Sequence, residues 1–377
     1  MIEFELCRSI HSIDASDWNG LFDSSYPFTE HAFLAALENS GSANAKSGWT
    51  PAHIVGRNQQ HQPVIVAPCY MKYHSYGEYV FDWSWANAYQ QNGLEYYPKL
   101  LCAIPFTPAT GPRIGAQDKA ALNAFMTALP QFCDQVDASG CHVLFPPNDA
   151  SADWQSYGWA KRQNTQYHWY NEGYNTFDDF LAGFTSRKRK TLKRERSKVI
   201  EQGLICKIIE GIDADEKVWE SFYTCYQVTY LKRSGHQGYL TREFFMEIAK
   251  TMAHTIVLNV AYDGDNIVAC ALCFKDDDTL YGRYWGCLQN YDQLHFELCY
   301  YQGIEYCISN NLQHFDPGAQ GEHKIQRGFR PITTISWHYL KHQGFHRAVE
   351  EFCQAEAEDN SEYQQRASEL LPFKACE

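Results

Sequence analysis

The stretch "TIVLNVAYDGDNIVACALCF", Thr255 to Phe274, holds two runs rich in β-branched and apolar residues on either side of a polar turn at 263–266. Two such runs joined by a short Gly-containing turn read as a β-hairpin. Outward from it, "TLYGRYWGC" from Thr279 supplies a further strand, "HFELCYYQGIEYCISNN" from His295 reads as a helix, and "LQHFDPG" from Leu312 as a short closing strand. The second half of the chain is therefore expected to run hairpin, strand, helix, strand.

The first half repeats that order. "AHIVGR" and "PVIVAPCYMKY" flank the polar turn "NQQHQ", "LLCAIPFT" follows, "DKAALNAFMTALPQFCDQV" is helical in character, and "CHVLFPP" is a short strand. Such an order builds a mixed sheet flanked by helices. The fold class is α/β (α+β), in two tandem domains expected at residues 1–170 and 171–377. Two helices, "EKVWESFYTCYQVTYLK" and "TREFFMEIAKTMAH", precede the second hairpin. The segment "TTISWHYLKHQGFHRAVEEFCQAEAEDNSEYQQRASELL", from Thr333, reads as one long helix or two.

With 377 residues, 45% of them hydrophobic and 15% aromatic, the chain can bury two cores and is not a disordered polymer. No run approaches the ~18 apolar residues of a membrane helix, so no membrane insertion is expected. "MIEFELCRSIHSID" lacks a basic segment followed by an apolar core, which points to the cytoplasm. The fourteen cysteines are scattered, as reduced core thiols are.

A net charge of -13 argues against a general nucleic-acid coat. One segment departs from that balance: "SRKRKTLKRERSK", residues 186–198, has eight basic residues and one acid. It lies in "FDDFLAGFTSRKRKTLKRERSKVIEQG", where Phe180, Phe184, Leu192 and Val199 recur at multiples of about four and give one basic helix an apolar stripe, with Gly203 as its stop. Arg187, Lys188, Arg189, Lys190, Lys193 and Arg194 are candidate phosphate-binding residues; a solvated helix face is the competing reading.

The basic helix ending in "EQG", the "LYGRYWGC" strand, the "LHFELCYYQGIEYCIS" helix and the "FDPG" strand end resemble the C-terminal half of the FemAB-like transferases, which are tandem domains of the GNAT acyltransferase fold. "YVFDWSWANAYQQNGLEYYPKLLCAIPFTPATGPRIG", Tyr79 to Gly115, and "FDPGAQGEHKIQRGFRP", Phe315 to Pro331, are similar to a subfamily of peptidoglycan biosynthesis and recognition, and the similarity covers nearly the whole chain. The resemblance implies two GNAT-like domains and an N-acyltransferase. An acyl or aminoacyl group would pass from aminoacyl-tRNA or acyl-CoA, a co-substrate and not a tightly bound cofactor, to a small-molecule or peptide-like amine. A CoA-cradling Gln/Arg-x-x-Gly-x-Gly/Ala turn has no clean copy here; "RIGAQDKAAL" from Arg113 is mis-spaced.

Aminolysis needs an unprotonated amine, donors for the developing oxyanion and charge stabilisation of the leaving group. In 315–331 glycines and prolines interrupt any long helix or regular strand. There Glu322 or His323 is expected to accept the amine proton, with Lys324 and Arg327 steadying phosphate or oxyanion charge. A salt-bridged, ordered loop is the other reading. The resemblance implies a phosphate-contacting lysine where this chain has Gln326; an extended backbone would turn its neighbours to opposite sides. Candidate substrate-binding residues are Arg283 of the "TLYGRYWGC" strand, Asp316 at a strand end, and Asp82, Trp85, Asn87 and Tyr89 of "FDWSWANAY", read as a ligand wall or an aromatic core.

His338, His342 and His346 fall four apart and would share a helix face, but Gly344 interrupts the helix and no metal site is expected. The Gln326 departure keeps a second class open: a non-catalytic module recognising a cell-wall or peptide-like ligand.

Overall fold

The turn at 263–266 closes the expected hairpin: Ile256–Asp263 pairs antiparallel with Asn266–Lys275, Leu258 opposite Leu272 and Val260 opposite Cys270. In the computed structural model, which describes residues 2–148, 153–319 and 321–374, this hairpin belongs to the second of two units. Unit 1 comprises residues 1–165 and 333–362; unit 2 comprises 166–332 and 363–377. A single cut at 170/171 therefore misplaces 333–362, whose Ile335, Trp337, Leu340, Val349 and Cys353 are buried in unit 1.

In unit 1 the segment "PVIVAPCYMKY" is two strands. Pro68 has no N–H to give a ladder, and the chain changes sheets there: Pro63–Ala67 pairs with His53–Arg57, whereas Cys69–Lys72 pairs with Lys99–Cys102. Lys99–Cys102 runs parallel to Gly140–Leu144. The helix Lys119–Gln135 lies between these two strands in sequence and buries Ala121, Phe125, Met126, Leu129, Phe132 and Cys133 at helical spacing. They pack with Leu100, Cys102, Cys141 and Val143. Each large apolar side chain so buried contributes about 1.5–3 kcal/mol.

The segment from Thr333 is not helical at its start. Arg330–Leu340 is a strand, its Ser336 opposite Leu144 and Leu340 opposite Gly140, and the helix begins only at Gln343. Thr333, Thr334 and Ile335 are β-branched, and Ile335 and Trp337 alternate with polar Ser336 and His338, a period of two. His338 is thus on a strand and His346 on a helix, so the three histidines do not line one helix face.

Unit 2 orders its strands as Leu204–Glu210, Ile256–Asp263, Asn266–Lys275, Thr279–Cys287, His314–Asp316, then the 166–170 part of Ala160–Tyr170. The basic helix is shorter than its apolar stripe suggested. Phe177–Ala182 ends at Gly183, and Ser186–Glu201 starts afresh from Thr185, whose extended backbone breaks the helix. Phe180, Phe184, Leu192 and Val199 are nonetheless all buried.

The helix after Thr279–Cys287 carries a π-turn at Glu297–Tyr301 between Leu294–Phe296 and Gln302–Ser309. Widening the helix strands a carbonyl, and Asn259 Nδ2 donates to that of Leu298 at 2.8 Å. Thirteen described cysteines are unpaired. Among the described residues no helix is long and apolar enough to cross a membrane.

Candidate functional site

Thr279–Cys287 and His314–Asp316 run parallel but pair only as Thr279 with His314, Leu280 with Phe315 and Tyr281 with Asp316. Beyond Tyr281 the longer strand continues to Cys287 without this partner, while the other chain turns away at Pro317. The two strands form a fork at their carboxyl ends, the edge where α/β sheets present ligands.

The base of the fork is a buried charge network. Arg283 Nη2 donates to Asp316 Oδ2 at 2.8 Å, both side chains 2% exposed or less, and the Gly318 amide donates to Asp316 Oδ1 at 2.8 Å. His168 Nε2 stands 3.6 Å from Asp316 Oδ1, and His168 Nδ1 is 2.7 Å from His314 Nε2. Burial pushes the Asp316 carboxyl up, but Arg283, His168 and the Gly318 amide outweigh it and hold the group below its ordinary value. Burial takes His168 down to about 3, so it is neutral at pH 7. Arg283 and Asp316, expected to meet substrate, are bound to each other.

The segment after Asp316 is not extended. Glu322–Arg327 is a 3-10 helix between Gly321 and Gly328, both at positive φ. Residues i and i+3 of such a helix eclipse one another, so Lys324 and Arg327 share the buried side, whereas Glu322 and His323 are exposed. Lys324 is 1% exposed and its Nζ donates to the Gly318 carbonyl. Desolvation lowers it from the usual lysine range to about 7 despite Asp316 nearby. Arg327 is held by Glu195 at 2.9 and 3.0 Å and lies 3.4 Å from the Phe296 ring centre.

His323 Nε2 is 2.7 Å from the Tyr300 hydroxyl. Its ring approaches His295, which in turn meets Trp285 of the fork strand at 5.3 Å. Burial, then the charges of His323, Arg233, Lys324 and Arg327, take His295 to about 3; burial, Arg327 and Lys324 lower His323. His295 is neutral at pH 7, and His323 is biased toward its neutral form, which carries an unprotonated ring nitrogen. Glu322, the other expected base, instead accepts from Tyr363 at 2.6 Å.

Lys324 thus lies against the fork through Gly318, with Arg283 and Asp316 beneath, and His323 reaches the fork strand through His295 and Trp285, while Arg327 is held by Glu195. Tyr300, Glu195 and His168 were missed; each acts through a partner far away in sequence. On the basic helix, Lys188 donates to Gln326 Oε1, and Lys193 pairs with Asp178 at 2.9 Å. Arg196 clamps Glu297 and Glu305. Arg187, Arg189, Lys190 and Arg194 make no ion pair among the described residues, and Arg187, Lys190 and Arg194 are exposed.

The remaining candidates belong to unit 1. Asp82 precedes the helix Trp83–Gln91 and is buried, accepting from Tyr96 at 2.6 Å and from Lys99. Trp85 and Tyr89, four residues apart, are buried with Leu340, Val349 and Cys353, whereas Asn87 is exposed on the opposite side. Those three side chains do not form one wall, because a two-residue step on a helix turns about 200°.

Against known proteins, the chain resembles FemX in structure, with a TM-score of 0.55 at 11% identity over 90% of this chain and 98% of the other. It also resembles a conserved protein of unknown function from Bacteroides thetaiotaomicron VPI-5482, with a TM-score of 0.51 at 12% identity over 90% and 100% of the two chains. At such identity these likenesses establish the fold alone. No curated protein matches the sequence. A family model for peptidoglycan biosynthesis/recognition spans residues 9–375, and the chain belongs to that FemAB-like family.

Proposed function

We propose that unit 2 transfers an acyl or aminoacyl group from an activated ester or thioester to an amine. The observation that carries this is Lys324, a buried amine bonded to the Gly318 carbonyl beside the strand fork and poised near pH 7 between its charged and neutral forms. The amine nitrogen attacks the carbonyl carbon, the ammonium form of Lys324 meets the developing oxyanion, and His323 takes the amine's proton. Collapse breaks the C–O or C–S bond, and that proton leaves with the alcohol or thiol. Donors aimed at developing charge in a dry site are commonly the largest single catalytic contribution.

The exposed bases Arg187, Lys190 and Arg194 favour aminoacyl-tRNA as donor over acyl-CoA, since a polyphosphate backbone rewards several cations at once. Family membership favours an acceptor from cell-wall synthesis. To test this, purified protein is incubated with labelled aminoacyl-tRNA or with acyl-CoAs, each with a small-molecule cell extract, and new amides are followed. The expected outcome is transfer from tRNA, reduced about 100-fold or more by Lys324→Met or His323→Ala and little changed by Glu322→Ala. Undiminished turnover in His323→Ala removes its role as base. Absence of transfer from either donor, with retention of an extract component, moves the protein to the binding class.

A further inference from the structure

In unit 1 the chain between Tyr73 and Trp83 turns four large aromatic side chains to solvent. Tyr73 and Phe81 are each 55% exposed, Tyr76 59% and Trp83 38%. The rings of Tyr76 and Trp83 meet edge to face with centroids 5.1 Å apart. Scattered apolar residues at a surface need no explanation, but exposed rings in contact, as those of Tyr76 and Trp83 are, mark a place of interaction.

The segment is pinned from beneath by buried charge. Lys99 donates to Ser75 Oγ at 3.0 Å, to Glu78 Oε2 at 2.7 Å and to Asp82 Oδ2. Lys72, opposite Lys99 in the strand pairing, donates to the Tyr76 carbonyl at 3.1 Å, and Arg162 donates to the Phe81 carbonyl at 2.8 Å. Lys72, Glu78, Asp82 and Lys99 are all at most 4% exposed. Burying four charges is a poor way to gain stability. It does fix the shape of the loop, and a surface ordered in advance binds without an ordering cost.

The character of the exposed face selects its ligand. Along the helix Trp83–Gln91 the stripe from Trp83 continues through Asn87 and Gln90, exposed amides at i+4 and i+7. Of the acids, bases and histidines between 73 and 92, Glu78 and Asp82 are consumed by the buried anchor, and the remaining one, His74, is shifted down by burial and by Lys72. Nucleic-acid phosphate and anionic lipid headgroups are held by Lys and Arg, which residues 73–92 lack. A sugar ring matches it: its C–H faces lie flat on aromatic rings, and its paired hydroxyls suit amides that both donate and accept.

We propose that this face of unit 1 binds a neutral saccharide, stacked on Tyr76 and Trp83 and hydrogen-bonded by Asn87 and Gln90. Such binding needs no acyl donor, so it is tested apart from transfer. The full chain is titrated calorimetrically with chitotetraose, cellotetraose and maltotetraose, and separately floated with phosphatidylglycerol vesicles. At least one oligosaccharide binds, and Trp83→Ala and Tyr76→Ala each weaken it about tenfold or more with an unchanged melting temperature. The proposal is overturned if the wild-type chain binds none of them at millimolar concentration. It is equally overturned if both variants bind as well as wild type, or if the chain floats with vesicles through Trp83 without binding a saccharide.

Discussion

Lys324 combines near-complete burial with a position beside the fork, and its titration should show in stability. Its folded value lies near 7, its ordinary value at 10.5. Below about 7 both folded and unfolded chains hold the proton, and the full penalty of a buried ammonium applies. Between about 7 and 10.5 only the unfolded chain keeps it, so stability rises with pH across that window. Lys324→Met should therefore melt above wild type at pH 6, with the advantage shrinking toward pH 10. Thermal melts at pH 6, 8 and 10 check this, and a constant difference would contradict the assignment. The charged residues of 315–331 stood out in sequence because Gly and Pro framed them. Which would be consumed by a partner did not: Arg283 meets Asp316 across 33 residues, and Arg327 meets Glu195 across 132. Pairing at such separation is a property of the folded chain.

At the scale of elements, close approach decides what composition cannot. A Cβ at Gly286 would fall 2.2 Å from the Cys225 carbonyl carbon and 2.3 Å from the Tyr226 nitrogen. The fork strand and the helix Glu216–Ser234 thus touch through backbone, which no rotamer change relieves. Gly286→Ala should cost about 3 kcal/mol and lower the urea midpoint, with transfer falling in parallel as the fork strand shifts. Retained midpoint would show that the helix yields. The hairpins and the long helices were legible because their periodicity is local. The strand Arg330–Leu340 was mistaken for helix because Trp337 and Tyr339 suit either period over so short a run. The 3-10 turn at Glu322–Arg327 was hidden by its flanking glycines, which read as loop.

For the whole molecule, the division into units yields a different prediction from the tandem order. Residues 333–362 return to unit 1, where Ile335, Trp337, Leu340, Val349 and Cys353 are at most 7% exposed. A fragment of residues 1–170 should lack a cooperative melt, since it leaves the matching apolar surface open. Joining 333–362 to residue 165 through a flexible linker should restore one, and circular dichroism melts of both fragments decide it. A cooperative melt of 1–170 alone would mean that the returning strand is dispensable.

By itself the sequence determined the alternation of hairpin, strand, helix and strand in both halves, the basic segment at 186–198 and the charged loop at its far end, because each is written in residues close together along the chain. Tertiary structure alone decided that Arg283 is spent on Asp316, that Lys324 is stripped of water, and that Trp85 and Tyr89 face a core while Asn87 faces solvent. Desolvation and ion pairing depend on what distant segments bring to the same few ångströms, and only the folded chain sets that distance.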